Sequence, residues 1–158
     1  MSTKASFLQR GGAWVFAQSA LMTATVLLGV VFHGDWSRTV VILAGTALFL
    51  AGGVVGIAGV WVLGKNRTPF PHPREGSALV QHGIYAHVRH PLYLSVMLAS
   101  LGWVLICQSW PALVAALVLI PFFRAKASSE ERRLRDKFPG YEDYENRVPR
   151  FVPRVWRR

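Results

Sequence analysis

The chain has 158 residues, 52% of them hydrophobic and 16% charged, with a net charge of +10 and a mean hydropathy of +0.31. A soluble domain of this size does not carry so large an apolar share, so the composition excludes an ordinary globular protein and predicts a single integral membrane domain over 1–158. Nucleic acid is excluded as a partner too, because the basic residues flank apolar runs, mix with acids and form no recognised nucleic-acid module.

A helix needs roughly 20 apolar residues to cross a bilayer, and Ala13 to Phe32 supplies the first such run without a charge. It is longer than the apolar region of a signal peptide and no small-x-small cleavage site follows, so it reads as a span. Thr39 to Leu63 supplies a second, in which Gly52 and Gly56 form a GxxxG pair with Gly45, Gly53 and Gly59 nearby. Small residues let helices approach closely in lipid, so this run predicts tight packing against the first or third helix. Gly64 to Gly76 contains three prolines and reads as surface loop.

The next segment is polar and lies between membrane-grade stretches: GIYAHVRHPLYL, starting at Gly83. Charge trapped at such a place is a site by default. Leu92 to Phe123 is longer than one span and is interrupted at Gln108 to Pro111. Proline suits a helix's first turn, so the spacing predicts two short helices, about 92–107 and 111–127, forming a hairpin.

After Phe123 the pattern turns amphipathic. Phe123, Ala127, Glu130, Leu134 and Phe138 share one face, which puts Glu130 in an apolar stripe and Glu131, rotated by about 100°, on the solvated side. Pro139 and Gly140 end that helix, and Phe151 and Trp156 among Arg150, Arg154, Arg157 and Arg158 read as interfacial anchors. The expected fold is an all-α integral membrane protein with about four transmembrane helices, the last two a hairpin, plus a C-terminal cytoplasmic amphipathic helix.

Charge asymmetry gives the expected sidedness. Lys4 and Arg10 precede the first run, Lys65, Arg67, Arg74 and Arg89 lie between the second and third, and everything after Phe123 is basic. Four crossings place all three regions in the cytoplasm, whereas three would export eleven lysines and arginines. Cys107 is the only cysteine, so no internal disulfide forms.

Two polar clusters framing one apolar hairpin suggest a pocket for a charged cofactor at the membrane surface. The segments LVQHGIYAHVRHPLYL and FFRAKASSEERRLRDKFPGYEDYENRVPRFVP make the reading specific. Their pattern of G-x-Y-x-x-x-R-H-P-x-Y, paired glutamates and a closing R-F-x-P, from Leu79 to Pro153, resembles the isoprenylcysteine carboxyl methyltransferases and the wider group that includes bacterial phospholipid methyltransferases. It departs at Phe138-Pro139-Gly140, where that group commonly has Phe-Gly.

The resemblance implies a bacterial inner-membrane enzyme that binds S-adenosylmethionine in a cytoplasm-facing pocket within 77–153. Its acceptor would be lipophilic, an isoprenylcysteine-like carboxylate or a phospholipid amine. Cofactor contacts carry over onto Leu79, Val80, Tyr85, His90, Pro91, Leu92, Tyr93 and Glu130. Lys126 and Arg89 become the candidate catalytic residues, Lys126 standing where many relatives have arginine, with Arg124 the other cation available to orient a carboxylate. No metal is implied: His82, His87 and His90 lack a cysteine or acid at ligand spacing, and His72 and His87 read as surface residues.

Plainer readings stand beside these. Glu130 can pair with Lys126 across one helical turn, Arg89 can extend to headgroups, and Tyr85 and Tyr93 can belong to the interfacial aromatic belt. At the level of the whole protein, the alternatives are a non-enzymatic membrane scaffold and an NADPH-dependent sterol-reductase-like enzyme.

Overall fold

The computed structural model describes residues 11–34, 36, 38–70 and 76–152. The sequence readings at Lys4, Arg10, His72, Arg74, Pro153, Arg154, Trp156, Arg157 and Arg158 lie outside the described residues. Among the described residues five α-helices carry the fold: α1 Gly12–Val31, α2 Thr39–Leu63, α3 Pro91–Cys107, α4 Trp110–Lys137 and α5 Tyr141–Arg147. By length and composition α1, α2 and α4 can each cross a membrane, while α3, with 17 residues, is a shorter apolar helix. This is an all-α, multi-pass membrane architecture.

α2 lies chiefly along α3, and α1 along α4, while α3 and α4 pack together between them. The first contact is built on the glycines. A Cβ at Gly52 would stand 2.7 Å from the Ala99 nitrogen, and one at Gly102 would stand 2.5 Å from the Phe49 nitrogen. Backbone is what they would strike, so only hydrogen fits at those positions.

The α3–α4 turn forms as the proline spacing requires. Gln108 takes the left-handed conformation (φ 54°), Ser109 caps α4 by accepting from the Ala112 amide at 3.4 Å, and Pro111 fills the first turn. Ser109 also donates to the Leu28 carbonyl at 3.0 Å. The Gln108 side-chain carbonyl accepts from the Trp36 amide. Those bonds tie the hairpin tip to the α1–α2 connection.

α4 does not stop near residue 127. It runs through Pro121 to Lys137 as one helix, so the expected amphipathic helix is the continuation of the fourth span rather than a separate element. Its fully buried line is Ala112, Ala116, Leu119, Phe123, Ala127 and Glu131, spaced 4, 3, 4, 4 and 4. Glu131 therefore lies in the core and not on the solvated face. The periodicity left this open, since Glu130 follows Ala127 by three and Glu131 by four, and both spacings keep a residue on one helical side.

Candidate functional site

The pocket forms where residues 64–70, 76–90 and 138–152 close over the end of the α3–α4 pair. Gly83 starts a 3₁₀ turn with φ 59°, and a Cβ there would meet the Val62 side chain at 2.8 Å. That turn buries Tyr85 and sends the chain toward α3. Beyond it the backbone pairs with the C-terminal segment: the Arg89 amide donates to the Pro149 carbonyl at 3.0 Å and the His90 amide to the Arg150 carbonyl at 3.2 Å. Pro91 then opens α3 at its first turn.

On this frame Glu131 is the hub. It is completely buried, and its carboxylate meets Arg89 Nη2 at 3.1 Å, His90 Nε2 at 3.0 Å and the Arg150 guanidinium. Arg89 also reaches Glu145 at 3.0 Å, and Arg135 makes a two-pronged pair with Glu145 at 2.8 and 2.9 Å. A buried carboxylate is tolerated only with such partners. Arg150, one of the arginines read around the anchors Phe151 and Trp156, reaches the buried Glu131 and holds the 148–152 segment against α4.

Glu130 faces the cavity. Its Oε2 accepts from the Tyr93 hydroxyl at 2.7 Å and lies 3.7 Å from His90 Nδ1, so His90 stands between the two glutamates. The His90 ring stacks on Tyr93 with centroids 5.2 Å apart and 4° between planes, and Tyr93 stacks in turn on Phe123. Across the cavity Tyr141 and Tyr144 pack with Val148, Leu79, Leu134 and Phe138. Burial pushes the Tyr144 phenol up to about 12, and burial followed by the nearby Glu131 raises that of Tyr141. The Tyr144 hydroxyl donates to the Tyr85 carbonyl at 2.7 Å.

Of the residues singled out in the sequence, Leu79, Val80, Tyr85, His90, Leu92, Tyr93 and Glu130 line this cavity, together with Arg89. Pro91 is buried behind the lining. Arg89 does not extend to headgroups: its side chain is 7% exposed and its charge is taken up by Glu131 and Glu145. His82 and His87 are exposed, and so is Arg124. Among the described residues, no group of three His, Cys, Asp or Glu side chains is placed to hold a metal ion.

Lys126 stands on the other side of Tyr93. It is 1% exposed, its ammonium 5.3 Å from the Tyr93 ring centroid, and it donates to Gln18 Oε1 at 2.5 Å and to the Pro69 carbonyl at 3.2 Å. It is not ion-paired with Glu130, whose carboxylate is engaged by Tyr93. Sequence reasoning missed three participants. Gln18 sits 108 positions from its partner, Glu131 was assigned to the wrong side of its helix, and Arg150 belonged to the R-F-x-P signature without a visible acid to meet.

Fold and site together define a multi-pass membrane protein with an aromatic pocket of mixed charge at one end of its helices. The chain belongs to the phospholipid methyltransferase family, whose sequence signature matches residues 40–140, a family of S-adenosylmethionine-dependent methyltransferases. It is 29% identical over 153 residues to the nickel-cobalt-cadmium resistance protein NccN of Alcaligenes xylosoxydans xylosoxydans, covering 95% of this chain and 68% of that protein. It is 30% identical over 147 residues to the cobalt-zinc-cadmium resistance protein CzcN of Cupriavidus metallidurans, covering 92% of this chain and 64% of that one. To the protein-S-isoprenylcysteine O-methyltransferase of Schizosaccharomyces pombe it is 37% identical over 79 residues, 49% of this chain and 34% of the yeast protein. The chain thus spans about two thirds of the length of the resistance proteins and about a third of the yeast enzyme.

Proposed function

We propose that this protein is an S-adenosylmethionine-dependent methyltransferase of a bacterial membrane, acting on a lipophilic acceptor. The observation that carries the reading is a set of buried donors in the pocket wall: among the described residues, Arg89 Nε and the Tyr141 hydroxyl have no hydrogen-bond partner, and Arg89 Nη1 has only its ion pair with Glu145. Unsatisfied buried donors are costly and mark a place where a ligand supplies the acceptors. They suit the carboxylate and ribose oxygens of S-adenosylmethionine, the Glu130 carboxylate suits its ammonium or ribose hydroxyls, and Tyr85, Tyr93 and Phe138 offer aromatic surface for its adenine.

The cofactor supplies an electrophilic methyl group on a sulfonium. The chain's own residues have to bind, orient and exclude water. Glu130, held by the Tyr93 hydroxyl, presents a fixed acceptor to the pocket, and the aromatic stack from His90 to Phe123 keeps that end dry. Lys126, beyond Tyr93, orients the acceptor's head while its hydrocarbon part stays among the helices. In this role Arg89 maintains the pocket, keeping Glu131 and Glu145 paired, rather than meeting the acceptor.

Glu130→Gln is expected to weaken S-adenosylmethionine binding by about 1.5 to 3 kcal/mol, the range for a hydrogen bond to a charged group. Calorimetry on protein in lipid nanodiscs reads this directly, and a Kd equal to that of the unsubstituted protein would remove Glu130 from the site.

Placing the pocket end in the cytoplasm follows from its basic residues. α1 begins at that end, as the Gln18–Lys126 bond requires, and the 148–152 segment closes over it. Single cysteines at positions 2 and 158, in a chain with Cys107 replaced by serine, should both resist an impermeant thiol reagent applied from outside the cell. Labelling of either one from outside contradicts this orientation.

A further inference from the structure

We infer that Gln18 is a positioning residue that holds the Lys126 ammonium in place without cancelling its charge, and thereby sets the acceptor preference toward a carboxylate head. The inference rests on the role given above to Lys126. It adds a residue of α1 that lies outside both motif segments.

Lys126 carries three N–H donors and is 1% exposed. Its partners are the Gln18 carbonyl oxygen at 2.5 Å, the Pro69 carbonyl at 3.2 Å and the face of Tyr93. All are neutral. Among the described residues no carboxylate pairs with this ammonium within 4.0 Å; the nearest acid to act on it is Glu130, which lies beyond salt-bridge distance and is engaged by the Tyr93 hydroxyl. A buried ion whose direct partners are neutral is expensive, and it favours an anionic group brought beside it over a second ammonium.

Gln18 has the shape for this task. It stands six residues into α1, about 9 Å along the helix, inside an apolar span where a polar side chain is costly unless it has a use. Its amide nitrogen lies 3.7 Å from the Met22 sulfur one turn on, which turns the carbonyl oxygen toward α4. Glutamate has the same length, but would put a carboxylate on the lysine and neutralise it. A neutral acceptor fixes the ammonium and leaves its charge for the ligand.

The test uses the full chain in neutral phosphatidylcholine nanodiscs and two probes with the same tail: the hexadecyl thioether of N-acetylcysteine, which ends in a carboxylate, and hexadecylamine. Binding of each is measured by calorimetry against empty discs, without cofactor. S-Adenosylmethionine affinity is measured separately for each variant. The unsubstituted protein is expected to favour the carboxylate probe. Gln18→Glu should lower the carboxylate-to-amine affinity ratio tenfold or more, raising amine binding as carboxylate binding falls. Gln18→Met should weaken the carboxylate probe without any gain for the amine, a difference in sign that mere loosening of the helix pair does not produce. S-Adenosylmethionine affinity should hold in both variants. A Gln18→Glu protein that keeps the original ratio overturns the assignment, as does an unsubstituted protein that prefers the amine or distinguishes neither probe. If the unsubstituted protein keeps the expected ratio but fails to bind S-adenosylmethionine, the methyltransferase reading falls while the Gln18–Lys126 pair stands as an anion site.

Discussion

Glu131→Gln is expected to destabilise the protein by about 3 to 5 kcal/mol, the cost of removing one partner from a buried ion cluster. The carboxylate is wholly buried and engages Arg89, His90 and Arg150 together. Glutamine keeps the shape and cancels the charge, so it leaves Arg89 with Glu145 alone, 3.0 Å away, and Arg150 without the carboxylate it meets. Arg150 is the partner nearest solvent, with 29% of its side chain exposed, and should leave first. With it go the bonds of the 148–152 backbone to Arg89 and His90, and the cavity loses a wall. Arg150→Met in the Glu131→Gln background should cost less than it does alone, because the cation it removes no longer has an anion to meet. Thermal melts in detergent read both effects, and a Glu131→Gln protein that melts with the unsubstituted one would show that the cluster carries no stability.

The same residue marks where the sequence stopped being informative. The apolar runs of α1 and α2, the break at Gln108 to Pro111 and the small-residue face of α2 depend on local spacing, so they were legible one stretch at a time. The helix carrying both glutamates was also legible, down to the stripe of Phe123, Ala127, Leu134 and Phe138. A helical repeat of 3.6 residues does not choose between neighbours three and four positions on, and only the return of the C-terminal segment over α4 decides that Glu131 is covered. Arg150 looked like one more basic residue in a basic tail because its acid is 19 positions away. The pocket residues were found through the motif resemblance, not through physical pattern, and Gln18 had neither a motif nor a nearby partner to betray it.

The two acids therefore divide their work in a way the paired spelling hides. Glu131 is enclosed by cations and serves the architecture. Glu130, one position earlier, is partly exposed to the cavity and holds a tyrosine hydroxyl. Substitution at 131 should appear in the melting temperature, and substitution at 130 in cofactor affinity. His90 touches both, which links the fold of the C-terminal segment to the pocket through a single ring.

Lys126→Met should produce the opposite separation: a protein at least as stable as the original whose methyl-transfer rate at saturating S-adenosylmethionine falls roughly a hundredfold, the loss expected when an acceptor is no longer held in line. Removing a buried ammonium that has no carboxylate partner relieves its desolvation cost, which offsets the loss of its bonds to the Gln18 and Pro69 carbonyl oxygens. A residue that costs stability is retained for another reason. If it only extended toward headgroups it would be exposed, yet it is 1% exposed. Lys126→Arg keeps the charge but enlarges the head in a closed site, and should recover part of the rate. The measurement is transfer of labelled methyl from S-adenosylmethionine to lipid extract or to a carboxylate amphiphile, with melting temperature and cofactor Kd taken on the same preparations. Unchanged turnover by Lys126→Met on a carboxylate acceptor would remove the lysine from catalysis. Faster turnover on an amine would show instead that its charge repels the acceptor, and would place the protein among amine methylators rather than carboxylate ones.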